Sequence, residues 1–125
     1  MLDNFPRGTI CIEDIEIGSA IADADYRAAL AGREAMIAAL EPIFGSYDVL
    51  ATPAAPGQAP VGLDYTGDAV FCSLWTLCGV PAITLPLLRG ADGMPMGLQL
   101  VGPPGGDAAL LRIAASLHQR LAAAL

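Results

Sequence analysis

The sequence contains one histidine, His118, and any Ser–His or Cys–His hydrolytic site within the chain must use it as the general base. The G-x-S-x-G turn that exposes a nucleophilic serine in many hydrolases does not occur in the sequence. His118 falls at the margin of the apolar face of a predicted helix, where we expect a partly buried structural side chain. An independent Ser–His or Cys–His hydrolase is therefore the least favoured function.

Two carboxylates, Asp64 and Asp68, bracket a three-residue segment and could in principle serve as a general acid and base. A structural interpretation is favoured, because Asp68 precedes an apolar helical segment that it can cap and Asp64 falls in a solvated loop. One histidine and scattered carboxylates give no recognisable ligand spacing, so we predict no metal site. The segment GPPGG at 102–106 is not followed by Lys-Ser or Lys-Thr, and we expect no phosphate site and no cofactor.

The sequence contains no lysine, so a mechanism that needs a lysine side chain cannot operate with these residues alone. Its three cysteines, Cys11, Cys72 and Cys78, form an odd set without C-x-x-C spacing. They predict neither a disulfide framework nor a zinc site. Because free cysteine usually behaves as a small apolar residue, we expect buried, reduced thiols.

The composition limits the domain count and the partners. The 125 residues fit one domain, and a content of 54% apolar and 15% charged residues is richer in apolar groups than that of ordinary soluble domains. This excess indicates surfaces that another structure covers. A net charge of −7 disfavours nucleic acid as a partner. The apolar runs are too short for a membrane helix and the first residues lack a secretory-signal pattern, so we expect no membrane association and a cytoplasmic location.

The first part of the chain predicts one long helix. Residues 1–22 mix isoleucines with acidic residues, and we expect an irregular segment there. From Asp23 onward apolar residues recur with helical spacing, and Arg33 is the charged member of that stripe. We predict a helix over 23–41, capped by Asp23 and ended by Pro42.

The remainder of the chain alternates strands and helices, as in an α/β fold. Pro86 lies within one predicted strand and indicates an edge or a bulge, and Asp92-Gly93 predicts the turn of a hairpin. A loop at a strand end is a common place for a pocket. The predicted elements are a buried strand at 47–52, a Pro/Gly-rich loop at 54–62, a buried helix at 68–78, strands at 82–88 and 96–101, and a final helix at 107–123.

Three segments resemble the C-terminal end of amidase-signature enzymes: DVLATPAAPGQAP at 48–60, WTLCGVPAITLPL at 75–87 and MPMGLQLVGPPGGDAALLRIAASL at 94–117. Their Asp-x-Leu-x-x-Pro, Gly-x-Pro-Ala and Pro-x-Gly-x-Gln-x-x-Gly patterns follow the family's order with compatible gaps. The resemblance covers about 48–118. It implies that the chain, 1–125, is the C-terminal portion of a layered α/β domain in which a mixed sheet lies between helices.

In that family a serine nucleophile, a second serine in a cis peptide and a lysine carry out catalysis, beside a glycine- and serine-rich loop that holds the oxyanion. The sequence matches none of these, so the resemblance assigns no catalytic residue here. The family region that corresponds to 54–78 lines the substrate channel, which makes Thr66, Val70, Ser73 and Trp75 candidate substrate-binding residues. A core role is the alternative for Trp75, since a large aromatic residue at helical spacing usually packs.

The resemblance implies the C-terminal part of an amidase that hydrolyses carboxamide C–N bonds, with the catalytic Ser–Ser–Lys half outside this chain. Its role is then to complete the fold and the substrate pocket. The expected partners are the N-terminal half of the amidase and a small-molecule amide, and an open sheet edge predicts a homo-oligomer when that half is missing. The alternative is a non-enzymatic binding or assembly subunit that docks on a separate N-terminal half.

Overall fold

The structure is a computed structural model, and it describes residues 9–63, 65 and 67–122. The chain divides into two compact units, Met1–Glu34 and Ala35–Leu125. The boundary between them falls within helix α2, which spans Asp23–Phe44. Within the described residues, no helix has both the length and the apolar character needed to cross a membrane.

Helix α1 spans Thr9–Ala20, so the expectation of an irregular segment is wrong for these residues. Isoleucine costs less than about 0.7 kcal/mol relative to alanine in a helix interior, and no proline interrupts this stretch. Successive backbone hydrogen bonds therefore outweigh the weak preference of the isoleucines for strands. The hydroxyl of Ser19 donates to the carbonyl of Ile15 at 2.7 Å.

The start of α2 is an exposed, charged helix end. Asp23 is its first residue, and an oxygen of its carboxylate lies 2.9 Å from Nη2 of Arg27. Arg33 donates to Glu34 at 3.1 Å, so the charged member of the apolar stripe has a structural partner. Tyr26, from the same predicted stripe, is exposed.

The end of α2 corrects the predicted boundary, because the helix continues past Pro42 to Phe44. Proline removes one helical N–H, and this loss falls within the last turn, where the helix is about to end. Backbone hydrogen bonds continue around it, from Gly45 N–H to the carbonyl of Glu41 at 2.8 Å and from Tyr47 N–H to that of Ile43 at 2.9 Å.

The second unit contains a three-stranded antiparallel sheet in the order β1-β3-β2. Strand β1 spans Leu50–Pro53, β2 spans Ala82–Arg89 and β3 spans Pro95–Val101. The fold class α/β is confirmed, while the strands that the structure describes are all antiparallel. Helix α3 spans Val70–Cys78 and helix α4 spans Asp107–Ala122.

Helices cover both faces of the sheet. Neighbouring strand residues point to opposite faces, and Leu100 and Val101 are both fully buried. Leu100 packs with residues of α4, including Leu110 and Ala114. Val101 packs with Trp75 and Cys78 of α3, and partly buried side chains of α2 join this second cluster: Met36, Ile37, Leu40 and Phe44. The predicted apolar stripe of α2 therefore belongs to the core in this unit.

Strand β2 confirms the prediction made from Pro86. It lies at the edge of the sheet, and its register with β3 shifts between Leu85 and Leu88. Proline has no N–H to donate to a neighbouring strand, so an edge position with an irregular register accommodates it. The hairpin with β3 closes through hydrogen bonds from Gly90 N–H to Met94 O at 2.8 Å and from Gly93 N–H to Gly90 O at 2.9 Å.

Several predictions of burial are wrong. The helix predicted to be buried at 68–78 has only two buried residues, and the strand predicted to be buried at 47–52 has half-buried and exposed residues. Cys72 is exposed, although Cys78 is buried as expected; the side chain of Cys11 lies outside the described residues.

His118 is exposed on α4 rather than partly buried, because the helix turns Leu110, Ala114 and Leu117 toward the sheet and His118 lies beside that stripe. Helical spacing identified the inward stripe but overestimated its width.

Candidate functional site

A cleft of about 430 Å³ lies between the loop that follows β1 and the start of β3. The loop residues 55–60 form one wall, and Pro95, Met96 and Gly97 form another. Tyr65, Gly67 and Asp68 complete the described lining. Apolar side chains and backbone dominate this surface, and Asp68 is the one charged residue among those described.

Gly97 lets the loop approach the sheet closely. A Cβ at this position would lie 2.1 Å from Cγ2 of Thr84 on β2 and 3.1 Å from Cβ of Ala54. The N–H of Ala54 donates to the carbonyl of Gly97 at 3.2 Å, which extends the β1–β3 pairing by one bond. The absence of a side chain at 97 therefore leaves room for Thr84 on the neighbouring strand and for Ala54 at the base of the loop.

A polar network lies behind the loop on the α3 side of the sheet. Gln99 is buried, its Oε1 accepts a hydrogen bond from the hydroxyl of Thr52 at 3.0 Å, and its Nε2 contacts Sγ of Cys72 at 3.6 Å. The thiol of Cys72 in turn lies 3.7 Å from the carbonyl oxygen of Ala54. The network joins β1, β3 and α3 at the base of the loop.

Asp68 lines the cleft and also lies just before the start of α3. Its Oδ1 accepts a hydrogen bond from the N–H of Val70 at 2.9 Å. The N-cap position itself belongs to Ala69, so Asp68 satisfies a free N–H of the helix start from one residue earlier than an ordinary cap. Gly79 ends the helix in the left-handed conformation, with φ of 66°, as the sequence indicated. Asp64 lies outside the described residues.

The candidate substrate-binding residues that the structure describes fall in two environments, the exposed surface and the core. Val70 is exposed, and Ser73 is exposed with its hydroxyl bonded to the carbonyl of Ala69 at 3.0 Å. Trp75 lies in the core with 9% of its surface accessible, so its side chain packs rather than lines the cleft. Thr66 lies outside the described residues. None of the three described candidates belongs to the cleft lining.

Gln58 and Met96 line the cleft, and neither was among the predicted residues. The sequence did place a pocket loop at 54–62, and this expectation identified one wall. The Pro95-x-Gly97 pattern marks the facing strand, because a glycine inside a strand often permits a close backbone approach. That signal could have located the second wall.

The arrangement offers a binding surface rather than a set of reacting groups. Ser73 lies on α3 and His118 lies on α4, and these helices cover opposite faces of the sheet. A Ser–His pair between them is therefore excluded by the sheet. Among the described residues, no group of three or more His, Cys, Asp or Glu side chains could hold a metal ion.

Comparison with known proteins connects this chain to one family. The family model described as Amidase matches residues 6–111. The chain is 41% identical over 88 residues to the putative amidase AmiC of Mycobacterium tuberculosis, across 61% of this chain and 19% of AmiC. It is 36% identical over 110 residues to a subunit of the glutamyl-tRNA(Gln) amidotransferase of Moorella thermoacetica, across 82% of this chain and 22% of that protein.

The same relationship holds in three dimensions. A crystal structure of an amidase matches with a TM-score of 0.78 and 32% identity, covering 91% of this chain and 29% of that one. The chain spans about a fifth of the length of the curated relatives, 19% of AmiC and 22% of the amidotransferase protein. Because the family match covers most of the sequence and the fold agrees with a solved amidase, the chain belongs to the amidase family.

Proposed function

We propose that this chain is the C-terminal part of an amidase-signature enzyme and supplies one side of its substrate pocket. The observation that carries this proposal is the cleft of about 430 Å³ beside the pocket loop. Its size falls within the range of roughly 300–1,000 Å³ that is typical of small-molecule sites. The reaction is hydrolysis of a carboxamide C–N bond other than a peptide bond.

The reacting groups come from outside these residues. The family resemblance requires a lysine and a glycine- and serine-rich loop, and the sequence has neither. The partner is therefore the N-terminal part of an amidase domain, which carries the nucleophile, the second serine and the lysine. This chain matches only about a fifth of the length of its relatives, which supports a catalytic part outside these residues.

The cleft favours a small amide whose bound part is uncharged. Its described lining contains no cationic side chain and one carboxylate, Asp68, which already accepts a hydrogen bond from Val70 N–H. Proline, alanine and methionine side chains supply most of the remaining contacts. Serine–lysine chemistry of this kind requires neither a metal nor an organic cofactor, and the reaction takes place in the cytoplasm.

A chimeric enzyme tests the proposal. The segment of a solved amidase that corresponds to residues 48–118 is replaced by these residues, and ammonia release is measured on a panel of simple amides. We expect turnover by the chimera and none by the 125-residue chain alone, since one missing oxyanion donor already costs about 10²–10³ in rate. A folded chimera without activity, or turnover by the chain alone, would overturn the proposal.

The alternative is a non-enzymatic assembly protein. One relative is named as a subunit of an amidotransferase, and several apolar side chains of this chain are exposed, including Val61, Leu63 and Leu74. Under this alternative the chain binds an amidase N-terminal part without restoring turnover. Binding measured by calorimetry in the absence of ammonia release separates the two functions. Self-association into a homo-oligomer is expected when that partner is absent.

A further inference from the structure

We propose that Gln58 is a positioning residue that fixes the pocket wall by clamping it to the turn of the β2–β3 hairpin. The proposal rests on the proposed function, since the wall matters for substrate only if the cleft binds one. Its contacts, however, lie within this chain. The clamp consists of the Gln58 side chain, the Asp92 carboxylate and backbone, and the surface of Gly90.

The side chain of Gln58 meets the hairpin turn at both ends of its carboxamide. Nε2 donates to Oδ2 of Asp92, and Oε1 accepts from the backbone N–H of Asp92 at 3.4 Å. The carboxamide thus pairs with one residue through a side-chain acceptor and a backbone donor. Two bonds to the same residue fix an orientation, which a single exposed bond does not.

Gly90 provides the space in which the carboxamide lies. A Cβ at this position would lie 2.2 Å from Oε1 of Gln58 and 3.0 Å from its Cβ. The turn itself is held independently, through Gly90 N–H to Met94 O and Gly93 N–H to Gly90 O. The clamp therefore joins a Pro/Gly-rich loop to a turn that is already closed by its own bonds.

The loop depends on this contact because it has few other anchors. Between described residues, the stretch 55–63 makes no hydrogen bond to the rest of the chain other than those of Gln58. Its base is held at Ala54, whose N–H bonds to Gly97. Gln58 itself lines the cleft, so releasing its side chain moves a wall and not a distant surface.

Backbone ¹⁵N relaxation of the full 125-residue chain tests the clamp directly. In Gln58→Ala and Gly90→Ala we expect the order parameters of Gly57 and Ala59 to fall from about 0.85 to below about 0.6. Exchange of the Asp92 N–H with solvent should rise about three- to tenfold, as for loss of an ordinary hydrogen bond. Gly32→Ala is the matched control, because Gly32 belongs to neither the clamp nor the reporter residues and a Cβ there meets nothing within 4 Å.

Exchanging the carboxamide and the carboxylate between positions 58 and 92 tests whether their specific pairing holds the loop. A general increase in loop mobility would not depend on that pairing. Gln58→Glu places two carboxylates together and should release the loop. Adding Asp92→Asn restores a donor opposite the new carboxylate and should recover the order parameters. In the active chimera, Gln58→Ala should raise KM at least about threefold with kcat within about twofold, as expected for lost ground-state binding.

Each outcome decides the proposal. Unchanged order at Gly57 and Ala59 in folded Gln58→Ala and Gly90→Ala chains, or no recovery in the double variant, overturns the clamp. An inactive chimera with a released loop in Gln58→Ala overturns the proposed function and leaves the clamp standing. Gln58→Ala changes the loop side of the contact and Gly90→Ala changes the hairpin side. If one of these variants fails to fold, the other still tests the clamp.

Discussion

The hydroxyl of Thr52 donates to the buried carboxamide of Gln99 directly across the β1–β3 pair, at 3.0 Å. The other end of the same carboxamide contacts the thiol of Cys72 on α3. One side chain thus connects two strands and a helix at the base of the pocket loop. Because Gln99 is buried, its partners cannot be replaced by solvent without rearrangement.

Replacing Gln99 by leucine should destabilise the chain by about 1–3 kcal/mol, since the substitution leaves the Thr52 hydroxyl without its partner. Chemical denaturation measures this change. Gln119→Leu is the matched control, because Gln119 is exposed on α4 and should alter stability by no more than about 0.5 kcal/mol. Equal effects at both positions would contradict a role for the network.

Replacing Trp75 by alanine should cost about 3–5 kcal/mol, as is typical for a large aromatic residue removed from a core. Leu74→Ala on the exposed side of the same helix should cost less, since 40% of its surface is accessible. Thermal unfolding of the two variants makes the comparison. A small loss for Trp75→Ala, combined with altered substrate preference in the chimera, would instead support the wall role.

Gly97→Ala should destabilise the chain by about 1–3 kcal/mol, because the added methyl group overlaps Cγ2 of Thr84. Thr84→Ser removes that methyl group, and the double variant should recover part of the loss. Denaturant titration of both single variants and the double variant yields the coupling between them. If the stability changes of the two single variants simply add in the double variant, the methyl group at position 97 does not act through Thr84.

His118→Ala and Ser73→Ala should leave ammonia release by the chimera within about twofold of the parent, since neither residue lines the cleft. His118 is exposed, so its loss should change stability by no more than about 0.5 kcal/mol. Steady-state kinetics on one amide suffice for this test. Loss of turnover in Ser73→Ala would contradict this expectation and support the predicted role of Ser73 in substrate binding.

The sequence predicted the order of strands and helices from Asp23 onward. The spacing of apolar residues and the positions of glycine and proline determine local backbone structure, so they can be read from the sequence. It identified the pocket loop and the edge position of Pro86 for the same reason. The contacts of Gln58 could not be predicted, since they join residues 34 positions apart through a turn whose geometry depends on the whole hairpin. The exposure of Cys72 likewise could not be predicted, because its thiol contacts Gln99 of the sheet and the residue is nevertheless exposed.

The α1 helix illustrates a different limit. Isoleucines among acidic residues give no clear helical face, so pattern alone indicates neither a helix nor a strand. For Trp75 the sequence left two roles open, a channel wall and a core position, and the structure places its side chain in the core. A segment near a channel also has a side that packs, and the orientation of α3 buries Trp75 while it leaves Val70 exposed.

The proline at position 86 makes the two borders of the sheet unequal. On the β2 border it removes a donor and the shift between Leu85 and Leu88 breaks the regular spacing, so an incoming strand finds an interrupted template there. Strand β1 has its proline, Pro53, only at its last position, and it pairs with β3 in unbroken register. The two edges of the sheet therefore differ in their capacity to pair with a further strand. We expect a strand from a complementary chain to pair with β1, beside Leu50–Pro53, rather than with β2.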